Sequence, residues 1–276
     1  MLRPIFLCTK DTLSKYYLLV AYVLIAVSIL PRLANLDAPI LDLNSFRQTQ
    51  TAITVSSWLD DDEAGVEVSP FDQLLYYKTP LFGEPFFTQF EFPLYQYLTY
   101  LSVKMGVNNV DRAGRLVSIF FYFLSAAVLL WILQRLCSNR WVVIFSVFFY
   151  CFSLFSIFWS RTFSIEYCAV FFGLLHFYAF MRLKDSYKAL WMTLGILAGT
   201  LSFLVKITSA FPFLLAMLFF LLREINFDFR RDLLQPRQLL DKLSINFTLV
   251  ALAGLLVFVP LVFELLWLSH TDGLKE

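Results

Sequence analysis

Long runs of apolar residues, separated by shorter polar segments, dominate the pattern along the chain. A bilayer with a hydrocarbon core of about 30 Å is crossed by roughly 17 to 25 helical residues, and some of these runs are at the short limit. Period-2 alternation is absent, and a backbone in lipid must be hydrogen-bonded within its own segment, so the runs predict helices. The fold class we predict is all-α, a polytopic transmembrane bundle with about seven spans. The runs cover residues 16–30, 113–134, 141–159, 163–181, 188–205, 207–222 and 243–269.

Composition supports a membrane protein and excludes several other classes. Hydrophobic residues make up 59%, aromatic residues 18% and charged residues only 16%, with a mean hydropathy of +0.69. In soluble domains about a quarter of all residues are usually charged. The net charge of +1 excludes a basic nucleic-acid binder. The four cysteines lack metal-binding spacing, so neither a zinc site nor a disulfide framework is expected.

The distribution of basic residues predicts the orientation of the spans. Arg3, Lys10 and Lys15 precede the first run, which is typical of a signal anchor that is not removed. A cytoplasmic N-terminus places thirteen of the 22 basic residues on the inner side, as the positive-inside rule requires. The thirteen are Arg3, Lys10, Lys15, Arg135, Arg140, Arg182, Lys184, Lys188, Arg223, Arg230, Arg231, Arg237 and Lys242.

This orientation divides the chain into three parts. Residues 1–222 form a transmembrane core with a long outer loop at 32–112, residues 223–242 form a basic cytoplasmic loop, and residues 243–276 form a final span with a short tail. The outer loop has helical periodicity at 44–59 and a second short helix starting at 91–101, with Pro93 in its first turn, and we expect both helices to lie flat on the membrane. The acidic segment between them is expected to be a solvated loop, because a calcium loop's ligand spacing is missing.

Several polar side chains fall on the predicted outer side. Glu166 lies about one turn inside the fourth span, where an ionisable group indicates a functional site unless it only pairs with Arg161. Lys206 is the only charge between Lys188 and Arg223, which suits a phosphate ligand or a snorkelling side chain. The whole set is Asp42, Arg47, Glu91, Arg161, Glu166 and Lys206.

Three other polar residues lie at or within the predicted spans and need separate interpretation. Arg112 and Arg115 lie one turn apart at the outer interface, where they anchor the helix by snorkelling or contact a phosphate or a loop carboxylate. His176 lies in mid-span among apolar residues, and we interpret it as a hydrogen-bonded packing histidine.

Four motifs, in this order and spacing, resemble the GT-C membrane glycosyltransferases. Within that family the chain is most similar to bacterial relatives of the protein O-mannosyltransferases and the lipid A aminoarabinose transferase. The similarity covers residues 10 to about 222; those relatives usually continue through several more spans, so this chain is short or truncated by comparison. The motifs are Asp-x-x-x-Phe-Arg-Gln-x-x-Thr-Ala from Asp42, Glu-Phe-Pro-Leu-x-x-Tyr-Leu from Glu91, Gly-Arg-Leu-Val-Ser from Gly114, and Ser-Arg-x-Phe-x-x-Glu from Ser160.

The resemblance implies transfer of a sugar from a polyprenyl-phosphate donor to an acceptor hydroxyl at the outer face of a bacterial cytoplasmic membrane, with inversion. The acceptor would be a lipid, a glycan or a protein. Asp42 and Glu166 would be the catalytic carboxylates, and would also be the ligands of a divalent cation, Mg²⁺ or Mn²⁺, if the reaction uses one. Arg161 and Lys206 would bind the donor phosphate. The side chains shaping the site would be Arg47, Gln48 and Glu91.

Two other classes of function compete with an enzyme. A protein that only binds or translocates a lipid-linked sugar, or a degenerate transferase fragment, would tolerate replacement of Asp42 and Glu166. An ion-coupled transporter would need ionisable groups near the midplane of several spans, and most of the predicted spans have none.

Overall fold

The computed structural model describes residues 16–40, 45–69, 75–77, 86–88, 91–183, 188–227 and 247–273, and this part of the chain is almost entirely helical. A 3₁₀ turn at Leu30–Arg32 follows the first helix. The helices are α1 (Tyr17–Val27), α2 (Ser45–Glu63), α3 (Leu94–Lys104), α4 (Val110–Leu136), α5 (Arg140–Phe152), α6 (Leu154–Trp159), α7 (Glu166–Arg182), α8 (Lys188–Glu224) and α9 (Phe247–Gly273).

Three of these helices, α4, α8 and α9, are long and apolar enough to cross a membrane. Two shorter apolar helical segments, Tyr17–Arg32 and α5, accompany them. The prediction of a helical protein with membrane-spanning helices is therefore confirmed for three helices. The sequence pattern did not predict the short antiparallel hairpin of β1 (Leu75–Tyr77) and β2 (Phe86–Thr88), in which Tyr76 is paired with Phe87.

Two of the predicted helical runs are wrong in their details. The run at 141–159 is divided at Ser153, which has extended ψ of 140° and accepts a hydrogen bond from the amide of Ser156 at 3.2 Å. A serine in this position caps the following helix, so the apolar run becomes α5 and α6. The run predicted to start at 163 becomes helical only at Glu166, and residues 160–165 form a loop.

Helix α8 combines two predicted helices, 188–205 and 207–222, which meet without a connecting loop. Lys206 separates them with φ −164° and ψ 94°, an extended conformation that any residue adopts. The first half of α8 is antiparallel to α7, because early α7 residues contact late residues of this half. Ser202 donates a hydrogen bond to the Ala169 carbonyl at 3.2 Å, and the rings of Tyr178 and Trp191 are 5.7 Å apart.

The second half of α8 runs in the same direction as α7. The Phe213 ring lies against Gly173, and the Phe220 ring lies 5.7 Å from that of Phe180. Because the two halves pack on the same helix in opposite directions, the chain reverses at Lys206. Lys206 therefore lies at the same end of the bundle as Glu166, the first residue of α7.

Arg32 is fully buried at the junction of α1, α5 and α6. Its guanidinium donates to the carbonyl of Ser28 at 2.6 Å and to that of Cys151 at 3.0 Å, and it lies 3.6 Å from the centroid of the Tyr122 ring. Those carbonyls belong to the C-terminal ends of two helices, where the helix dipole favours a cation. The aromatic ring adds a cation–π contact, so within the described residues the charge is stabilised by carbonyls, hydroxyls and a ring and not by a carboxylate.

The opposite end of the bundle, formed by the last turns of α4 and α7 and the first turns of α5 and α8, carries basic residues. Arg140 lies over the Tyr17 ring and Arg182 over the Trp191 ring, with distances of 5.4 and 4.4 Å to the ring centroids. Arg135 in the last turn of α4 lies at this end too. The end of the bundle opposite Glu166 thus carries basic side chains, two of which lie over aromatic rings.

Candidate functional site

The loop of residues 160–165 is held by side chains from three other parts of the chain. The amide of Phe163 donates to Oε1 of Gln48 at 2.9 Å. Ser118 donates to the carbonyl of Thr162 at 2.7 Å, and the Arg32 guanidinium donates to Ser160 at 2.6 Å. A loop fixed by so many hydrogen bonds holds Arg161 and Glu166, which lie within and after it, in defined positions.

Close packing ties two further motifs to the same loop. The Phe163 ring lies directly against Gly114, where an added Cβ would be 2.3 Å from Cδ2 of the ring. Tyr95 donates from its hydroxyl to the carbonyl of Gly114 at 2.6 Å, and the same hydroxyl lies 2.9 Å from Oγ of Ser118. The four motifs, with contacting residues up to 115 positions apart in the chain, therefore contact one another.

Two ion pairs lie beside this loop. Arg47 in the first turn of α2 pairs with Glu91, and Lys206 at the reversal of α8 pairs with Glu166. Both pairs are partly shielded, with side-chain exposures of 25% and 10% in the first pair and 26% and 23% in the second. The Coulomb attraction between two charges is stronger in such a shielded place than on the surface.

The two ion pairs form one electrostatic cluster. Burial raises the pKa of Glu91 above its usual range, and the nearby Glu166 carboxylate acts in the same direction. The positive charges of Arg47 and Lys206 lower the pKa of Glu91, so this pKa depends on the charges of both ion pairs. The backbone joins them as well, since the amide of Phe92 donates at 2.7 Å to the Leu204 carbonyl beside the reversal of α8.

The structure corrects one of the alternatives considered for Glu166. Glu166 pairs with Lys206 on another helix, and not with Arg161 five residues before it. Sequence spacing could not reveal this, because the contact depends on the reversal of α8. Arg161 is partly exposed, and within the described residues its guanidinium makes no hydrogen bond or ion pair.

An apolar groove of about 1080 Å³ leads to Glu166 from the side of the bundle. Its outer walls carry side chains that are largely exposed, among them Phe145, Phe149 and Phe155 at 63%, 73% and 72%. Its polar lining includes Glu166 and Tyr167. The groove is thus apolar along its walls and polar at the end formed by Glu166 and Tyr167.

The polar end of the groove continues into the buried network around Arg32. Tyr167 lies with its hydroxyl 2.9 Å from Oγ of Ser156, and Arg32 donates to the same oxygen at 3.1 Å. A buried cation therefore lies directly behind the groove wall. Arg32 is the first residue of the predicted outer loop, and a charge that follows an apolar run next to proline is a signal that could have identified it.

Sequence reasoning also missed Glu264, which lies within α9 and is 3% exposed. It lies one helical turn before Trp267, whose ring centroid is 5.0 Å from that of Phe92, the residue after Glu91. Oxygen Oε2 of Glu264 is buried and has no hydrogen-bond partner within the described residues. A carboxylate within an apolar run was a signal available in the sequence, by the same argument that identified Glu166.

The structure also places the two interfacial arginines, the mid-span histidine and three of the cysteines. Arg112 pairs with the loop carboxylate of Asp37 at 2.7 Å, and Arg115 donates to the Asn35 carbonyl at 2.7 Å, so both fix the start of the outer loop. His176 is the predicted packing histidine, with Nδ1 2.7 Å from the carbonyl of Gly195. Cys137, Cys151 and Cys168 are free thiols.

Asp42, the other predicted catalytic carboxylate, lies outside the described residues. Within the described ranges no group of three or more His, Cys, Asp or Glu side chains is placed to hold a metal ion, and Glu166 is occupied by Lys206. The described donors alone do not fit a divalent cation.

The arrangement brings an apolar groove up to Glu166 and its partner Lys206, with Arg161 in the adjoining loop. No protein-family model, curated protein or solved structure matches the chain.

Proposed function

We propose that this chain is a membrane glycosyltransferase that moves a sugar from a polyprenyl-phosphate donor to an acceptor hydroxyl at the outer face of a bacterial cytoplasmic membrane, with inversion. The observation that carries the proposal is the 1080 Å³ apolar groove, which is lined at its polar end by Glu166, the partner of Lys206. The chain would cross the membrane about seven times with its N-terminus in the cytoplasm.

The groove fits the lipid part of such a donor. Its aromatic walls belong to α5, α6 and α7, and a polyprenyl chain entering from the bilayer would cover rings that are otherwise exposed. Aromatic side chains bury large apolar areas and so supply much of the binding free energy of an apolar ligand. The charged head would then stop at Glu166 and Lys206.

The donor phosphate would be bound by Lys206 and Arg161. Arg161 has no competing partner within the described residues, and its loop is fixed by Gln48 and Ser118. Lys206 would exchange Glu166 for the phosphate, because both are anions that compete for one ammonium group. Prepositioned cations stabilise the charge that develops on a leaving phosphate, which is where such a site would accelerate the reaction.

The chemical step would be a single displacement. The acceptor hydroxyl oxygen forms a bond to the anomeric carbon while the bond from that carbon to the phosphate oxygen breaks. The polyprenyl phosphate leaves with the bonding electron pair, and the acceptor proton goes to a carboxylate, for which Asp42 and the released Glu166 are the candidates. Arg47, Gln48 and Glu91 would hold the loop and the cluster in place.

Sugar transfer in membranes containing the full chain tests the proposal. A panel of polyprenyl-phosphate sugars is supplied to the wild type, to Asp42→Asn and to Glu166→Gln at matched expression, with Lys104→Met as the control. Lys104 lies in an exposed ion pair with Asp62, so its replacement should not affect transfer. Transfer by the wild type that Asp42→Asn and Glu166→Gln abolish supports the enzyme and the two carboxylates.

Two other outcomes contradict the proposal. Transfer that survives both substitutions would remove the carboxylates from the site. Binding of the donor lipid without transfer of any sugar in the panel would favour a protein that only binds or translocates lipid-linked sugars.

A further inference from the structure

We infer that Glu264 and Trp267 on α9 form a subsite for the sugar of the donor, next to the Glu91 and Glu166 ion pairs. This inference rests on the proposed function. It adds a part of the site that none of the four sequence motifs contains, since both residues lie beyond residue 222.

The first argument is an unmatched carboxylate. Glu91 and Glu166 each have a cationic partner, Arg47 and Lys206 respectively, whereas Glu264 has none within the described residues. Its oxygen Oε2 is buried and makes no hydrogen bond within the described residues, which is costly because that oxygen has lost its water without replacement. A ligand that donates a hydrogen bond to this oxygen would remove the penalty, which gives the carboxylate a role in binding.

The second argument is an unmatched donor one helical turn away. Trp267 carries a buried Nε1 that has no acceptor among the described residues. Residues three apart on a helix lie on the same face, so Glu264 and Trp267 project from one side of α9 without bonding each other. An unpaired acceptor and an unpaired donor on one helix face complement a ligand with hydroxyl groups, which both donate and accept.

The third argument is the position of this pair. The Trp267 ring packs against the Phe92 ring with 5.0 Å between the centroids, and Phe92 directly follows Glu91 in the chain. The subsite therefore adjoins the cluster that contains Lys206. A phosphate at Lys206 with its lipid in the groove would direct its sugar away from the groove, and α9 lies within reach of that cluster.

Ligand binding to the purified full chain in lipid nanodiscs tests this subsite separately from catalysis. The probes are polyprenyl phosphate and polyprenyl-phosphate mannose, glucose and arabinose. The quantity of interest is the ratio of the dissociation constant of polyprenyl phosphate to that of the best glycosylated probe. We expect Glu264→Gln and Trp267→Phe each to lower this ratio by about 10-fold, the effect of losing a hydrogen bond to a charged or buried group.

The affinity for bare polyprenyl phosphate should stay within about 2-fold of the wild type in both variants. Leu265→Ala, a neighbour that is 57% exposed on another face of α9, is the matched control and should leave both affinities unchanged. Thermal unfolding of each variant identifies a loss of fold, in which case both affinities would fall together.

The outcomes separate the two proposals. A wild-type ratio near one for every sugar, or a ratio unchanged in both variants, overturns the subsite while leaving lipid-phosphate binding intact. A fall in both affinities for a variant that unfolds like the wild type also overturns it. Failure of the wild type to bind polyprenyl phosphate, or binding that Lys206→Met leaves unchanged, overturns the proposed function itself.

Discussion

Glu166 and Lys206 neutralise each other in the structure, and this pairing gives opposite expectations for their replacement. If Lys206 is a phosphate ligand, Glu166 is its competitor. We expect Lys206→Met to weaken polyprenyl-phosphate binding by at least about 10-fold, the effect of losing a hydrogen bond to a charged group. Glu166→Gln should bind the lipid at least as tightly as the wild type, although it no longer transfers sugar. Equilibrium binding of a labelled polyprenyl phosphate measures both.

The same binding experiment contains its own control. Lys104→Met removes an exposed cation of the same type, and its affinity should match that of the wild type. Parallel losses in Lys206→Met and Glu166→Gln would mean that the pair only stabilises the fold, because a competitor and a ligand cannot have the same sign of effect on affinity.

Glu91 gives a prediction about pH. Its pKa in the folded protein is raised by burial, so between the ordinary carboxyl value and this raised value the folded chain binds more proton than the unfolded chain. The contribution of Glu91 to stability is then largest at low pH and declines as the pH rises through the raised pKa. As the pH rises from the ordinary carboxyl pKa to the raised pKa of Glu91, the wild type should lose stability relative to Glu91→Gln. Thermal unfolding of both proteins as a function of pH measures the difference, and parallel curves would contradict the assignment.

At the scale of elements, the contact between α4 and the 160–165 loop depends on the lack of a side chain at Gly114. A methyl group there would meet the Phe163 ring at 2.3 Å, and overpacking of this kind costs about 1 to 3 kcal/mol. We expect Gly114→Ala to lower the thermal unfolding temperature, and Phe163→Leu to restore part of that loss in the double variant because a smaller side chain leaves room.

Gly254 is the matched control for this substitution. It lies in α9, and a Cβ at this position would contact nothing within 4 Å. Gly254→Ala should therefore be neutral or slightly stabilising, as expected of alanine in an open helical position. Equal destabilisation by Gly114→Ala and Gly254→Ala would show that helix propensity and not the Phe163 contact determines the effect.

Hydropathy predicted the existence of most helices but not their junctions. The run at 113–134 became α4 at 110–136, because a long apolar segment has few other ways to satisfy its backbone. The break at Ser153 was not predicted, since one serine changes the mean hydropathy of a run very little while its side chain caps a new helix. The β hairpin was missed because its strands are only three residues long.

The candidate site was predicted as a set of residues but not as a set of partners. Arg47, Glu91, Glu166 and Lys206 were all identified because they fall on the predicted outer side of the membrane, and they meet in one cluster. Which acid pairs with which base depends on the reversal of α8, and no local pattern contains that information. Glu264 was missed because its helix follows the segment that the four motifs cover.

At the scale of the whole molecule, the charges of the two ends and the reversal at Lys206 predict where the chain lies relative to the membrane. Lys188 and Arg223, at the two ends of α8, are 35 positions apart and both exposed. A chain that reverses at Lys206 places both on the cytoplasmic side. A single long helix across the bilayer would instead place them on opposite sides.

Cysteine labelling in intact cells distinguishes these two arrangements. Lys188→Cys and Arg223→Cys are introduced separately after the four native cysteines have been replaced by serine or alanine, and a membrane-impermeant maleimide is applied before or after permeabilisation. We expect both positions to react only after permeabilisation. Met105→Cys, 79% exposed near the Glu166 end, should react in intact cells and is the positive control. Reaction of only one of the two α8 positions in intact cells would contradict the reversal as a membrane hairpin, and with it the placement of Glu166 and Lys206 at the outer face.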